Sequence, residues 1–333
     1  MYGIDIKEDY ILSLGHNILD TMLIDRTTNE HIIWATNDYA FLGEEYTFHK
    51  PILPELITGE KQNVIQPRAA KQEEKRRLRS RKMAEVFTPS WVCNKMNNSV
   101  DEKWFKRRPV FNSTFDEGDR HWWEPTTENI LFPEGKTWQE YVKMGVIEIT
   151  CGEAPFLASR YDTVSGEAIP DLKKRIGWLD RKMRIVNENT STEEDWLYWT
   201  REAYKGTLGF EWQGDNLLLA RENLLISCFD YYEDRFDKNL PIDYVREIAE
   251  IISWNIFQMD GLKFVIPRSC HSKILETRDL ISGKVIKKEI ECEGCKKGLI
   301  HRHNGIYVQT MDWNTGKPIR FDKINGLAKK ERL

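Results

Sequence analysis

This chain predicts an α/β layer architecture, with a helical N-terminal region before it and a small metal-bound element after it. Three observations carry that expectation. From about residue 142, short apolar runs rich in β-branched and aromatic residues alternate with helical periodicities. Upstream, Ile11, Leu12, Leu14, Ile18, Leu19, Met22 and Leu23 form a helical stripe. Downstream, Cys292 and Cys295 stand at C-x-x-C spacing ahead of a hairpin pattern.

In chain order, residues 1–60 are the helical N-terminal region. Residues 61–140 hold a basic segment and an irregular excursion. The basic run over 68–82, RAAKQEEKRRLRSRK, contains no helix breaker. It reads as a helix with a cationic face, and Arg68, Lys75, Arg76, Arg77, Arg79, Arg81 and Lys82 are its candidates for contacting nucleic-acid phosphates. Over 101–140 the chain is rich in Trp, Pro, Asn and Asp with weak periodicity, so its tryptophans are expected chiefly to pin a loop to the core rather than to stack on bases. Residues 141–270 form the α/β core. Strands are expected over 146–150, 208–211 and 263–266, and helices over 196–205 and 215–231. Another helix begins after Pro241, with Ile242, Val245, Ile248, Ile251 and Ile252 at helical spacing. Residues 271–333 are the C-terminal element, ending in a hairpin of 306–311 and 318–321.

Composition narrows the function classes. Hydrophobic residues make up 40% and charged residues 31% of the 333, which excludes collagen-like, low-complexity and coiled-coil classes. No apolar run approaches the roughly 20 residues of a membrane-spanning helix, and the N-terminus carries acids rather than lysines, so a cytoplasmic location and no membrane are expected. Six cysteines in a chain this long favour a clustered metal site over a disulfide framework. With a net charge of −4, any affinity for nucleic acid has to come from a local patch.

Residues 146–162, VIEITCGEAPFLASRYD, read as a strand, an acidic residue, a small-residue turn and then a helix. In a doubly wound sheet, the turn at the carboxyl end of the first strand lets the main chain approach a ligand in the crevice above it. Glu148 ends the strand, and Thr150, Cys151, Gly152, Glu153, Ala154 and Pro155 make the turn. There is no GxGxxG, and Glu153 would repel a pyrophosphate, so a phosphate-free cofactor bearing positive charge fits better. Glu211 closes the next strand, where an acid accepts hydrogen bonds from ribose hydroxyls, with Trp212 beside it. Asp260 and Gly261 lie in a turn where a carboxylate could receive an adenine amino group.

Together with AEVFTPSWVCNK at 84–95, these pieces resemble the gamma group of S-adenosylmethionine-dependent adenine-N6 DNA methyltransferases of restriction-modification systems. The resemblance covers about residues 61–270 and implies a Rossmann-like S-adenosylmethionine-dependent methyltransferase fold. Phe87, Thr88 and Pro89 match the family's FTP segment, which packs on the methionine end of the cofactor. Glu148 through Leu157 aligns without a gap to the family's DPACGSGxFL loop, with Cys151, Gly152 and Phe156 retained. Glu211 then matches the ribose-binding acid and Asp260 the adenine-contacting one. The resemblance also implies DNA as partner, together with a specificity, restriction or second methyltransferase subunit, or a further copy of the chain.

Two departures matter. Ala154 and Pro155 replace the second loop glycine and its follower. No two prolines are adjacent anywhere in the chain, so the family's (N/D)PPY motif, which accepts the adenine amino hydrogens and stacks the flipped base, is missing. Removing one preorganised acceptor typically costs about 3 kcal/mol of transition-state stabilisation. Ser269, Cys270 and His271 stand near the motif's place as catalytic candidates. The expected function is therefore an S-adenosylmethionine-binding DNA methyltransferase-like protein of a restriction-modification or phage-defence system. The alternative is a catalytically inactive scaffold or sensor subunit that binds S-adenosylmethionine and DNA and needs a partner chain.

The segment 292–303, CEGCKKGLIHRH, has the form of a zinc knuckle. Cys292, Cys295, His301 and His303 are the expected ligands, the two histidines sharing a face if the segment is extended. Cys270 or His271 could replace either histidine. Four protein ligands would close the coordination sphere and make the zinc structural.

Overall fold

In the computed structural model the described residues are 4, 6–71, 88–278 and 285–324. The N-terminal stripe is cut at Gly15, whose φ of +149° joins helix α1 (Glu8–Leu14) to α2 (His16–Leu23). The stripe still reaches the interior: Ile11, Ile18, Leu19, Met22 and Leu23 share one apolar core with Leu224, Leu225, Ile248 and Ile252.

Pro89 stands at the N-cap position just before the long helix α3 (Ser90–Phe105), where its missing N–H leaves no main-chain donor unpaired. The Trp-rich stretch is more regular than its composition suggests. Strands β1 (Asn112–Glu117) and β2 (Arg120–Pro125) pair antiparallel, turning at Gly118 with φ +59°. Its tryptophans do pin the segment down. Trp123 donates to Lys174 O at 2.8 Å, and Trp104 packs edge-on against Tyr141. Trp91 is stacked by His121 at 3.8 Å between ring centroids, with Lys95 Nζ 5.0 Å from its ring.

Helix α4 (Trp138–Lys143) opens with a capping box between Thr137 and Glu140 and leads into the central sheet. Strands β3 (Val146–Ile149), β4 (Thr207–Glu211) and β5 (Ile256–Gln258) run parallel in that order, with Glu148 opposite Gly209 and Glu211 opposite Gln258. Helices α5 (Trp178–Asn189) and α6 (Glu193–Lys205) join β3 to β4. Helices α7 (Gly214–Phe236) and α8 (Ile242–Asn255) join β4 to β5. The fold is thus mixed α/β, with a small parallel sheet and helical crossovers.

Two elements differ from the sequence expectation. The third strand is 256–258 rather than 263–266, which instead folds as a turn. Asp260 N donates to Val265 O at 2.8 Å, and Phe264 takes φ +58°. The helix expected right after the 150–155 turn is also absent. Only Ala158 N→Ala154 O closes a helical turn there; Tyr161 instead bridges Ala168 in an antiparallel pair, with Asp162 accepting from Val164 N and Ser165 N to turn the chain back.

Buried cations stitch the layers. Arg221 of α7 donates to Met22 O, Ile24 O and Ile256 O at 2.6, 3.0 and 2.8 Å, and burial pulls its pKa down to about 9. Lys182 of α5 donates to Met144 O and Gly206 O at 2.7 and 2.9 Å, and burial lowers it to about 7. At the far edge, Gln258 receives Ile33 N and donates to Ile33 O, so the N-terminal segment covers β5 through a side-chain amide.

The C-terminal element holds two hairpins. Strands β6 (Lys273–Arg278) and β7 (Val285–Ile290) form one, and β8 (Gln309–Asp312) with β9 (Lys317–Arg320) the expected terminal one. Between them lies the short helix α9 (Glu293–Lys297). Phe264, Val308 and Phe321 pack over Phe210 and Phe257, so this element covers the β4–β5 side of one sheet face.

Candidate functional site

The carboxyl ends of the three parallel strands bring the crevice residues to one edge of the sheet, where ligands bind in open α/β folds. Glu148 and Glu211 lie there, both buried. The 150–155 turn follows β3, with Thr150, Gly152 and Ala154 at φ +50°, +54° and +61°. Two of these three left-handed residues carry a side chain, a local strain of the kind that clusters at binding sites.

The turn is held by the second acid. Glu211 Oε2 accepts Gly152 N at 2.9 Å and Oε1 accepts Gln213 N at 3.2 Å. Glu148 Oε1 accepts Phe156 N at 3.4 Å, while its Oε2 is buried with no hydrogen-bond partner among the described residues. Burial drives the Glu148 carboxyl well above the usual carboxylate range, the amides of Phe156 and Leu157 oppose that, and the nearby Glu211 charge adds to the rise. Burial likewise raises Glu211. Glu148 and Glu211 are thus two desolvated carboxyls close enough for the charge of one to raise the other.

Several expected site residues have other occupations. Glu153 is fully buried and accepts from Arg68 N and Tyr161 OH, both at 2.6 Å, which ties the start of the basic segment to the turn. Cys151 is buried against Gly209, and Pro155 is buried as well. Trp212 donates from Nε1 to Ala35 O at 3.1 Å, with Phe48 6.2 Å away and Arg268 over the Phe48 ring at 4.2 Å. Phe48 and Arg268 were not foreseen, because nothing local in the chain marks residues so distant as neighbours. Asp260 Oδ1 accepts Leu262 N at 3.0 Å and shapes its own turn, whose tip residue Leu262 is 86% exposed. Gly261 sits against Phe210, where an added Cβ would come within 2.6 Å of the ring.

Thr88 and Pro89 reach the same neighbourhood. Thr88 O accepts from Thr163 Oγ1, and Ser90 N donates to Asp162 at 2.6 Å. Phe87, and Lys75, Arg76, Arg77, Arg79, Arg81 and Lys82 of the basic run, lie outside the described residues. Of that run, Arg68–Ala70 is a 3-10 turn and Lys71 is buried in an ion pair with Asp215 at 3.3 Å.

The metal centre differs from the expected ligand set by one residue. Cys270, Cys292, Cys295 and His303 present ligand atoms that all lie within 4.8 Å of one another, and together they can hold a metal ion such as zinc. His303 Nδ1 is 3.5, 3.7 and 3.6 Å from the sulfurs of Cys270, Cys292 and Cys295. A tetrahedron with Zn–S bonds of about 2.3 Å has sulfur–sulfur edges near 3.8 Å, and Cys270 and Cys295 are 3.6 Å apart. Asn304 N points at Cys292 Sγ from 3.3 Å, stabilising thiolate character. Gly294 is required in the knuckle, since a Cβ there would sit 2.7 Å from His303 N and Nδ1.

His301 is a correction. Residues Ile300–Arg302 form a 3-10 turn rather than a strand, so the two histidines do not share a face. His301 Nδ1 pairs with the buried Asp322 at 2.8 Å instead. The catalytic candidates are also occupied: Ser269 Oγ accepts Ile306 N, His271 Nδ1 pairs with Ser269 O, and Cys270 belongs to the metal cluster.

Comparison of the chain with family models, with curated proteins and with solved structures returns no match.

Proposed function

We propose that this chain binds S-adenosylmethionine at the carboxyl edge of its parallel sheet and works on DNA as the methyltransferase-like component of a restriction-modification or phage-defence system. The observation that carries the reading is the pair Glu148 and Glu211, two buried carboxylates at adjacent strand ends, one with an orphaned oxygen. The cofactor fits that chemistry. Glu148 Oε2 would take its ammonium group and Glu211 its ribose hydroxyls, with Trp212, Asp260 and Gly261 toward the adenine, and Thr88, Pro89 and the 150–156 turn toward the methionine end. When bound, the cofactor supplies an electrophilic methyl group. In this reading the sheet is the observed part of a Rossmann-like fold, and zinc in the Cys3His cluster is structural.

Replacing Glu211 by Ala removes both the ribose acceptor and the clamp on Gly152. Affinity for S-adenosylmethionine is expected to fall at least tenfold in calorimetry, since a hydrogen bond to a charged acceptor contributes about 1.5–3 kcal/mol. Unchanged affinity would remove Glu211 from the site.

A second reading, in which the chain binds cofactor and DNA without catalysis until a partner joins it, is favoured by the engagement of Ser269, Cys270 and His271. Methyl transfer to duplex DNA by the isolated chain would contradict it. Under either reading DNA affinity rests on the basic run. It should fall steeply between low and moderate salt, and Arg76→Glu with Arg79→Glu should flatten that dependence. A salt-independent affinity, or one indifferent to those changes, removes the run from the interface.

A further inference from the structure

Strands of a parallel sheet are ordinarily buried on both faces. Strand β3 departs from this. Ile147 and Ile149 share one face and are 44% and 67% exposed, while the C-terminal element covers the same face only over β4 and β5. The edge is open as well. Val146 N donates to Gly206 O at 2.9 Å, so residues 146 and 148 turn toward β4, and Gly145, Ile147 and Ile149 turn their main-chain groups outward. Among the described residues no strand pairs with that side. The opposite edge, by contrast, is closed by Gln258 and Ile33. An apolar strand with a bare ladder is a template for another strand.

We infer that a second copy of the chain docks here, its β3 antiparallel across a two-fold axis, so that two three-stranded sheets become one. A two-fold sets Gly145, Ile147 and Ile149 against the same three residues, which gives each outward donor an acceptor and each isoleucine an apolar neighbour. Charge and backbone select the register. Centring the axis on Glu148 would oppose two carboxylates directly, which is unfavourable. Centring it on Ile149 would need Thr150 and Cys151 as strand, yet Thr150 is left-handed at φ +50° and β3 ends before it. Centring on Ile147 opposes Ile147 to its own copy, Glu148 to Val146, and Ile149 to Gly145. Gly145 has open space where a Cβ would stand, so the copy's Ile149 meets no side chain opposite it.

The test is sedimentation of the full chain over a concentration series, beside two families of variants. Wild type is expected to dimerise at micromolar concentration. Ile147→Lys, at a half-exposed position, should keep the native circular dichroism and melting temperature yet weaken association about 100-fold or more, since two apolar side chains leave the interface. Ile147→Cys should cross-link to its own copy on mild oxidation, because directly opposed, hydrogen-bonded residues have Cα atoms about 5.5 Å apart. Ile149→Cys should not, being about 13 Å from its copy in this register. A wild type that stays monomeric, a dimer indifferent to Ile147→Lys, or equal cross-linking by the two cysteines would each overturn the inference.

Discussion

Cys270→Ser is expected to empty the metal centre, whereas His301→Ala leaves it loaded. The two substitutions separate the ligand set that spacing suggests from the one the fold assembles. Cys270 closes the coordination sphere with Cys292, Cys295 and His303, and a hydroxyl is a poor replacement for a thiolate at zinc. The consequence for stability is largest around the knuckle itself, since Val308 and Phe321 anchor the terminal hairpin on the sheet without the metal. The knuckle's own apolar cluster contains only Val265, Cys270 and Cys292, with Tyr307 against them. Structural zinc in peptides of this kind is worth about 10 kcal/mol or more of apparent folding free energy. Metal analysis should therefore fall from one ion per chain to near none in Cys270→Ser, with amide exchange accelerated over 292–304. His301→Ala loses the pairing with Asp322, worth about 1 kcal/mol, and should leave the metal content unchanged. Full metal content in Cys270→Ser, or its loss in His301→Ala, would restore the spacing-based set.

Glu148→Gln should stabilise the ligand-free chain at neutral pH and abolish cofactor binding. The sign follows from the raised carboxyl. A group whose folded pKa lies above its unfolded value contributes stability that is complete below the unfolded value, near 4.5, and is lost as pH rises through the folded value. At neutral pH the native protein therefore carries an unfavourable buried charge, or a proton that its unfolded chain would release. Glutamine keeps a polar group in the same place but cannot ionise, so the charge-related, pH-dependent part of that cost disappears. The same carboxylate is what a cationic cofactor requires. Wild-type affinity should accordingly tighten as pH rises, while the Gln variant shows neither the affinity nor the pH dependence. Lower stability in Glu148→Gln, combined with unaltered binding, would place Glu148 in the core rather than in the site.

The chain's legibility was uneven, for physical reasons. The strands at 146 and 208 and the helices after Gly214 and Pro241 stood out because β-branched runs and helical apolar spacing report burial directly. The third strand escaped because Ile256–Gln258 is only three residues long and follows α8 without a turn residue between them. The hairpin in the Trp-rich stretch had a local mark, Gly118 between Glu117 and Asp119, that composition obscured. Cys292 and Cys295 were legible as a pair because both ligands sit on one short helix and its cap. Cys270 was only an alternative, since its approach depends on the turn after β5 and the long return through β6 and β7. The acids at the strand ends were recognisable as a pattern. That Glu211 holds Gly152, that Glu153 faces inward to Arg68 and Tyr161, and that Glu148 keeps an orphaned oxygen are consequences of packing that no spacing encodes.

The crevice at the carboxyl ends of β3 and β4 is the centre of this account, and calorimetric titration of the full wild-type chain with S-adenosylmethionine addresses it most directly. Saturable binding at one site per chain, tightening from mildly acid to neutral pH and lost in Glu148→Gln, is the predicted result; absence of saturable heat at millimolar ligand would contradict it.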